Sequence, residues 1–359
     1  MNYLNNNPKR VAVIGASGYG GIQAVRLLKN HPNFEMSFLG GFKTANSNWN
    51  HLFPFLALNN NPVIQDVDPQ KISEAADFVI LSLPNGLSSQ ITPSLLNKKL
   101  RVIDLSADYR YRSLNIWQEI YKTESKENLR KDNILCEQAT YGIPEINSEA
   151  IKSSDLVASP GCFPTSALLP LVPLLKQGLI ETDGIIIDSK SGTSGGGRNP
   201  KEHLLLSEAS ESISPYGVIG HRHTSEIEQE LSNASGVNMN IQFTPHLVPM
   251  VRGLLSTIYA RLRDPGLTAD DCKTVLETVY RNNKTVDILP VGTYPQTKWV
   301  RYTNKVLISV QVDKRNGRLV IMSAIDNLIK GQAGQAVQSL NLMSGLSDDI
   351  SLPMDTFYP

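Results

Sequence analysis

Short apolar runs alternate with amphipathic stretches over the first 158 residues. Residues 10–15 (RVAVIG) form an apolar run closed by glycine, the pattern of a strand buried on both faces of a parallel sheet. Residues 21–30 (GIQAVRLLKN) carry apolar positions at helical spacing and are stopped by His31-Pro32. Runs at 34–41, 78–83 and 101–105 predict further strands. Strands alternating with helices predict a parallel sheet with right-handed crossovers. Beyond about residue 158 the rhythm changes. Runs at 184–188, 240–244, 255–262, 305–312 and 319–324 predict strands of a mixed or antiparallel sheet. Residues 165–176, 224–232, 269–282 and 326–343 predict helices. The last carries Gly331, Ala333, Gly334 and Ala336, small residues suited to close packing. The expected fold is α/β, a Rossmann-type parallel-sheet domain over 1–158 followed by an α+β domain over 159–325.

A chain of 359 residues exceeds one small core, which agrees with two domains. The balance of 34 basic and 34 acidic residues gives a net charge of +0 and speaks against a nucleic acid or an anionic membrane as partner. No run approaches the roughly 18 apolar residues of a membrane span. The start, MNYLNNNPKRVAVIG, lacks the apolar region of a secretory signal and the Arg/Ser-rich composition of a transit peptide, so a cytoplasmic location is expected. Cys136, Cys162 and Cys272 are widely spaced without a CxxC pair, which fits neither a disulfide framework nor a zinc site, and no metal is expected.

Two stretches carry chemistry. Gly15-Ala16-Ser17-Gly18-Tyr19-Gly20-Gly21 follows a strand and opens a helix, the context in which glycines let a pyrophosphate approach the backbone and a helix N-terminus. The bland alternative is a tight strand-to-helix turn without a ligand. An NAD site usually places an acid about 20 residues further on, at the end of the second strand. Here Lys43, Thr44 and Ser47 stand there and no acid does, which favours the 2′-phosphate of NADP(H). As a lone residue, Lys43 would read as a surface lysine.

The second stretch is Ser159-Pro160-Gly161-Cys162, a turn that delivers a thiol to the start of an apolar helix. A helix N-terminus favours thiolate over thiol, so Cys162 is a candidate nucleophile, whereas Cys136 and Cys272 read as core residues. A nucleophilic thiol needs a proton acceptor. His221 and His223, in GHRHTSEI, are the candidates; two residues apart at a helix start, they are expected on different faces, with one pointing inward. Surface or helix-capping roles are their alternative, and His31, His51 and His203 read as structural or solvated. Residues 191–198 (SGTSGGGR) could wrap a nicotinamide ring or an anion through backbone N–H groups, although a flexible surface loop looks similar. Arg110 and Arg252 follow apolar runs and could bind anionic groups bidentately, or be ordinary ion-paired arginines.

Motifs at 11–21, 83–88 (LPNGLS), 103–110 (IDLSADYR), 141–146 (YGIPEI), 159–171 (SPGCFPTSALLPL), 191–198, 221–227 (HRHTSEI), 243–253 and 324–341 run in order along nearly the whole chain. With them the chain resembles the N-acetyl-γ-glutamyl-phosphate reductases, within the aspartate-semialdehyde-dehydrogenase superfamily. The cysteine motif and HRHTSEI are specific to that branch, and the glycine fingerprint alone is not. The resemblance implies that Cys162 forms a thioester with an acyl phosphate, which a hydride from NADPH then reduces to an aldehyde. It implies acid/base roles for His221 and His223 and a substrate site with Arg110, Tyr216 and Arg252. It implies a cofactor site with Gly15, Ser17, Gly18, Tyr19, Gly20, Gly21, Lys43, Thr44, Ser47, Pro84, Ser191, Gly192, Gly195 and Asn327. It further implies that the C-terminal segment 326–359 completes the first domain, that 159–325 carries catalysis and oligomerisation, and that the protein is a homotetramer or homodimer. Tyr109 and Ser225 stand where the family usually has Phe and Pro.

The nearest rivals are related acyl-phosphate reductases, either aspartate-semialdehyde dehydrogenase or the carrier-linked aminoadipyl-phosphate enzyme. HRHTSEI favours the arginine-pathway branch over the former, and the zero net charge gives no support to an acidic carrier. A non-catalytic NADP-sensing regulator would keep the glycine fingerprint without needing Cys162. A short-chain-type dehydrogenase is disfavoured because no Tyr-xxx-Lys pair stands in the helical context it needs.

Overall fold

The computed structural model describes residues 8–121 and 134–356. It divides into two compact units, one of Met1–Pro160 with Gln332–Leu352 and one of Gly161–Gly331 with Pro353–Pro359. Residues 357–359, part of the closing segment expected from the sequence, lie outside the described residues.

The first unit holds a six-stranded sheet, β1 (Lys9–Ile14), β2 (Phe34–Gly40), β3 (Phe78–Leu81), β4 (Arg101–Asp104), β5 (Thr140–Tyr141) and β6 (Leu156–Ala158). Its order is β2-β1-β3-β4-β6-β5, and all pairs are parallel. Val11, Ala12, Val13 and Ile14 are fully buried, as an apolar run in a two-sided sheet requires. The order reverses at β1, so the loops after β1 and β3 sit where doubly wound sheets take ligands. The helix after β1 spans Tyr19–Leu28, two residues ahead of the expected start, because the turn closes within Gly15–Gly18. Helix Gly334–Met343 is buried on every side, which its small residues permit. It packs on helices Tyr19–Leu28 and Pro144–Ser153.

The second unit holds a seven-stranded mixed sheet, β7 (Ile186–Ser191), β8 (Ser214–Pro215), β9 (Gln242–Leu247), β10 (Leu254–Arg261), β11 (Val286–Ile288), β12 (Val306–Asp313) and β13 (Arg318–Ile325), in the order β11-β12-β13-β10-β7-β9-β8. Helix Cys162–Lys176 lies on β10 and β13, flanked by helices Arg222–Ser235 and Ala269–Tyr280, and residues 163–175 are all buried. β7 runs three residues past its expected end. Its inward Ser189 shares a hydroxyl chain with Ser256 of β10 (2.7 Å), and Ser256 accepts from Ser166 of the helix (2.9 Å). Polar residues therefore sit on the core face because they bond to one another. The predicted closing helix does not begin at Asp326. Asp326 Oδ1 accepts the N–H groups of Leu328 and Ile329, a π-helical turn follows at Ile329–Ala333, and the α-helix starts at Gly334.

Candidate active site

The glycines of the first loop serve different ends. Gly15 has φ +75°, and a Cβ there would lie 2.1 Å from the Ser82 carbonyl oxygen at the end of β3. A Cβ on Gly21 would lie 2.2 Å from Gly15 O. These two are demanded by the turn and by the packing of helix on strand. A Cβ on Gly18 would meet only Gly15 O, at 3.5 Å, so the protein leaves room there for a ligand to approach. Gly18 caps the helix without a side chain, and no acid stands in the first turn, which leaves the positive end of the helix to an anion. Ser17 accepts the Thr44 hydroxyl (3.1 Å), which joins the glycine loop to the segment after β2. Lys43 is exposed beside it, Ser47 is half-buried, and no carboxylate lies within 40–47. Tyr19 and Pro84 are exposed, and Gly20 packs on the Ser82 hydroxyl and Gln332. The cradle fits a pyrophosphate and a 2′-phosphorylated ribose.

Asp108 was not foreseen. Buried after β4, its carboxylate accepts the N–H groups of Gly86 (2.7 Å) and Ser89 (2.9 Å), while Asn85 accepts that of Ala107 (3.0 Å). The Pro84 loop is thus bound to the Arg110 loop. Arg110, 8% exposed, donates Nε to Ser159 O (2.8 Å) and Nη2 to Leu105 O (2.9 Å). Its planar fork fixes the backbone just ahead of the cysteine turn.

In the second unit Cys162 is the first residue of its helix, three residues earlier than expected, because Pro164 is well placed in a first turn. Cys162 is half-buried; Cys136 and Cys272 are buried, and burial pushes the Cys272 thiol up to about 11. A Cβ on Gly331 would lie 2.7 Å from that of Cys162, so the π-helical turn backs directly onto the thiol. The two histidines do not diverge. His221 is the extended N-cap of helix Arg222–Ser235, so helical angular spacing does not apply to it. Both rings meet Phe163 edge-on at 5.8 Å, and they lie 5.0 Å apart. His223 also fills the space beside Gly161, where a Cβ would come within 2.3 Å of Nε2. Tyr216 stacks edge-on with His221 at 5.4 Å, and burial, then the nearby Cys162, pushes its hydroxyl well above the usual value.

His221 Nδ1 accepts the backbone N–H of His223 (3.1 Å), and burial pushes the ring down to about 4. The neutral ring therefore carries its proton on Nε2. The folded protein binds this proton less readily than the unfolded chain, so stability is full above about pH 6.5 and falls as pH drops toward 4. We expect His221→Asn, which keeps a capping oxygen, to flatten that fall. Thermal melts by circular dichroism between pH 7 and 4 test it. Parallel curves for the two proteins would contradict the assignment; His31, lowered by burial in the same sense, is common to both.

Asn327 lies at the centre of a second set of contacts. It donates to the Ser194 hydroxyl (2.9 Å) and accepts the Gly253 N–H (2.9 Å). Residues 191–198 are not a loose loop. Gly192, Thr193 and Ser194 donate to Gly253 O, Met250 O and Val251 O, and a Cβ on Gly192 would strike Val251 O at 2.7 Å. Ser191 ends β7, and Gly195 faces its hydroxyl and the Asn327 amide. Arg252, 8% exposed, pairs with buried Asp326 (3.4 Å) and lies 4.7 Å over the Tyr302 ring. Glu226, fully buried, accepts the N–H of Gly161 (2.9 Å) and was also not foreseen.

Comparisons with known proteins place the chain in a family. A semialdehyde dehydrogenase NAD-binding domain model matches residues 10–154, and a semialdehyde dehydrogenase dimerisation domain model matches 162–327. A Prochlorococcus marinus protein named N-acetyl-gamma-glutamyl-phosphate reductase is 70% identical over all of both chains. One of the same name from Parasynechococcus marenigrum is 63% identical over 98% of each. An aspartate semialdehyde dehydrogenase II from Vibrio cholerae superposes with a TM-score of 0.72 at 16% identity, over 94% of this chain and 99% of that one. A Candida albicans aspartate semialdehyde dehydrogenase, solved with NADP, superposes at 0.64 and 16% identity, over 96% of this chain and all of that one. These two establish the shared α/β fold.

Proposed function

The chain belongs to the N-acetyl-gamma-glutamyl-phosphate reductase family, and from that membership we propose that it reduces N-acetyl-L-glutamyl 5-phosphate to N-acetyl-L-glutamate 5-semialdehyde and phosphate in arginine biosynthesis. The observation that carries the reading is Cys162 at the first position of a helix, beside two imidazoles packed on Phe163.

The Cys162 thiolate attacks the acyl carbon, the bond from that carbon to the bridging phosphate oxygen breaks, and phosphate leaves with the electron pair. The N-terminal peptide dipoles of the helix hold the thiolate, and N–H groups of its first turn face the developing oxyanion, each contributing roughly 3 kcal/mol. NADPH, when bound, would supply a hydride to the thioester carbon; the oxyanion so formed collapses, the C–S bond breaks, and the aldehyde leaves with the Cys162 thiolate restored. His221, neutral with its proton on Nε2, donates to the carbonyl oxygen, and His223, packed on Gly161, exchanges the proton of the thiol. Arg110, Arg252 and Tyr216 recognise the anionic substrate. Gly15, Ser17, Gly18, Tyr19, Gly20, Gly21 and Pro84 hold the dinucleotide, Lys43, Thr44 and Ser47 its 2′-phosphate, and Ser191, Gly192, Gly195 and Asn327 border the nicotinamide.

The protein acts as a homo-oligomer in the cytoplasm. In support, Ile186, Thr257, Tyr259, Val320 and Met322 leave one face of β7, β10 and β13 incompletely covered, within the stretch matched by the dimerisation model. Among the described residues no helix is long and apolar enough to cross a membrane.

The test is phosphate-dependent reduction of NADP⁺ with N-acetylglutamate semialdehyde. We expect turnover with this aldehyde and with NADP⁺ far better than NAD⁺. Turnover only with aspartate or aminoadipate semialdehyde would overturn the substrate, and equal use of NAD⁺ would overturn the role of Lys43 and Thr44.

A further inference from the structure

Tyr302 stands in the left-handed backbone region, at φ +67°. Glycine and asparagine take that conformation readily, whereas a bulky aromatic residue there is strained and persists only where its surroundings hold it. Two contacts hold it here. The Tyr302 N–H donates to Oδ2 of the fully buried Asp326 (2.7 Å), whose Oδ1 accepts the N–H groups of Leu328 and Ile329. The Tyr302 ring lies 4.7 Å from the Arg252 guanidinium and 5.4 Å from that of Arg301. Asp326 Oδ2 also stands 3.4 Å from Arg252 Nε. That is wider than the roughly 2.8 Å of a charge-assisted hydrogen bond, so Asp326 balances the charge of Arg252 more than it directs the fork. An aromatic face attracts a cation and stacks on the planar guanidinium, which does give direction. One residue thus meets the arginine and its counter-charge together, with its N–H on Asp326 and its ring against Arg252.

We propose that Tyr302 is the positioning residue of Arg252: its left-handed backbone sets the ring against the guanidinium and so aims the fork at an oxyanion of the substrate, the carboxylate of the aldehyde or the phosphate. Tyr302 touches neither substrate nor cofactor in this account. It acts through Arg252, and the inference rests on the reading of Arg252 as a substrate residue. Strain at one residue that serves the orientation of its neighbour has a signature. Relieving the strain and removing the ring should cost binding while leaving stability nearly unchanged.

Three substitutions separate ring, hydroxyl and arginine. Tyr302→Asn tolerates the left-handed backbone and keeps the N–H on Asp326, but removes the ring. Tyr302→Phe keeps the ring and removes the hydroxyl. Arg252→Lys keeps a positive charge beside Asp326 and removes the planar fork. The readouts are thermal melts of the full chain, and kcat with the KM values for N-acetylglutamate semialdehyde and for phosphate, each varied separately in NADP⁺ reduction. We expect Tyr302→Asn to raise KM for one or both of these anions about 10-fold, with kcat within about 3-fold of wild type. Its melting temperature should stay within about 4 °C, because relief of strain offsets the lost ring contacts. The substrate whose KM rises identifies the oxyanion that Arg252 holds. Tyr302→Phe should stay within about 2-fold of wild type in every constant, and Arg252→Lys should raise the same KM at least as far as Tyr302→Asn does. Native KM values in Tyr302→Asn beside raised ones in Arg252→Lys would overturn this proposal alone. Native values in both would overturn the reading of Arg252 as well. Tyr302→Phe impaired as badly as Tyr302→Asn would overturn the role of the ring. A melting temperature lowered by more than about 4 °C in Tyr302→Asn would also overturn the proposal, since the ring would then serve the fold rather than the arginine. No turnover in wild type would overturn the assigned reaction, and the role of Arg252 and Tyr302 with it.

Discussion

Cys162→Ser is expected to abolish turnover, lowering kcat on the order of 10⁴-fold or more, while NADPH binding stays within about 2-fold of wild type. The serine fits the same position at the start of helix Cys162–Lys176, so the fold is retained. What changes is the nucleophile. A helix N-terminus lowers the pKa of a thiol and favours its thiolate, whereas a serine hydroxyl is far less acidic and is not held as an anion by the same helix end. The glycine loop belongs to the other unit and is untouched. Phosphate-dependent NADP⁺ reduction and fluorescence titration of NADPH measure the two quantities. Residual kcat within 10-fold of wild type would remove the thioester route.

Gly21→Ala is expected to weaken NADPH about 100-fold and to destabilise the first unit by about 1–3 kcal/mol, the usual effect of overpacking. Its Cβ would lie 2.2 Å from Gly15 O and 2.7 Å from Ala16 Cα, both backbone atoms that cannot swing aside. Relief requires the helix to move off the loop, which carries its N-terminal N–H groups away from the pyrophosphate. Gly18→Ala is the control. Its Cβ has only one neighbour, at 3.5 Å, so the melting temperature should hold while NADPH binding still falls. Equal melting losses in both variants would show that Gly18, like Gly21, is there for packing rather than for the approach of a ligand.

Parallel strands β1 to β4 were legible because each is an apolar run with no competing pattern, and the glycine loop because its spacing is local. β7 was partly hidden, since Ser189 and Ser191 face the core, where the Ser256 hydroxyl partners Ser189 and the Gly192 carbonyl accepts from Ser191. Strands β5, β6, β8 and β11, two or three residues long, are too short to show a period. In the site, Cys162 and the histidine pair were legible from the turn and helix start. The convergence of His221 and His223 on Phe163 was not, because it depends on His221 standing outside the helix as its cap. Glu226 was illegible for a different reason. Its partner lies 65 residues away, and an acid in the polar stretch EIEQEL gives no sign that its own side chain is buried. Arg110 and Arg252 were recognisable as candidates, but besides the nearby Leu105 carbonyl they are held by the carbonyl of Ser159 and the carboxylate of Asp326, which come from distant segments.

The central claim is a covalent acyl group on Cys162, and peptide mass mapping after mixing the protein with N-acetylglutamyl 5-phosphate without NADPH tests it most directly. The account predicts an N-acetylglutamyl adduct on the peptide containing Cys162, released as the aldehyde when NADPH is added and absent from Cys162→Ser. Steady turnover with no adduct at Cys162 under any quench, or an adduct that NADPH leaves in place, would contradict it.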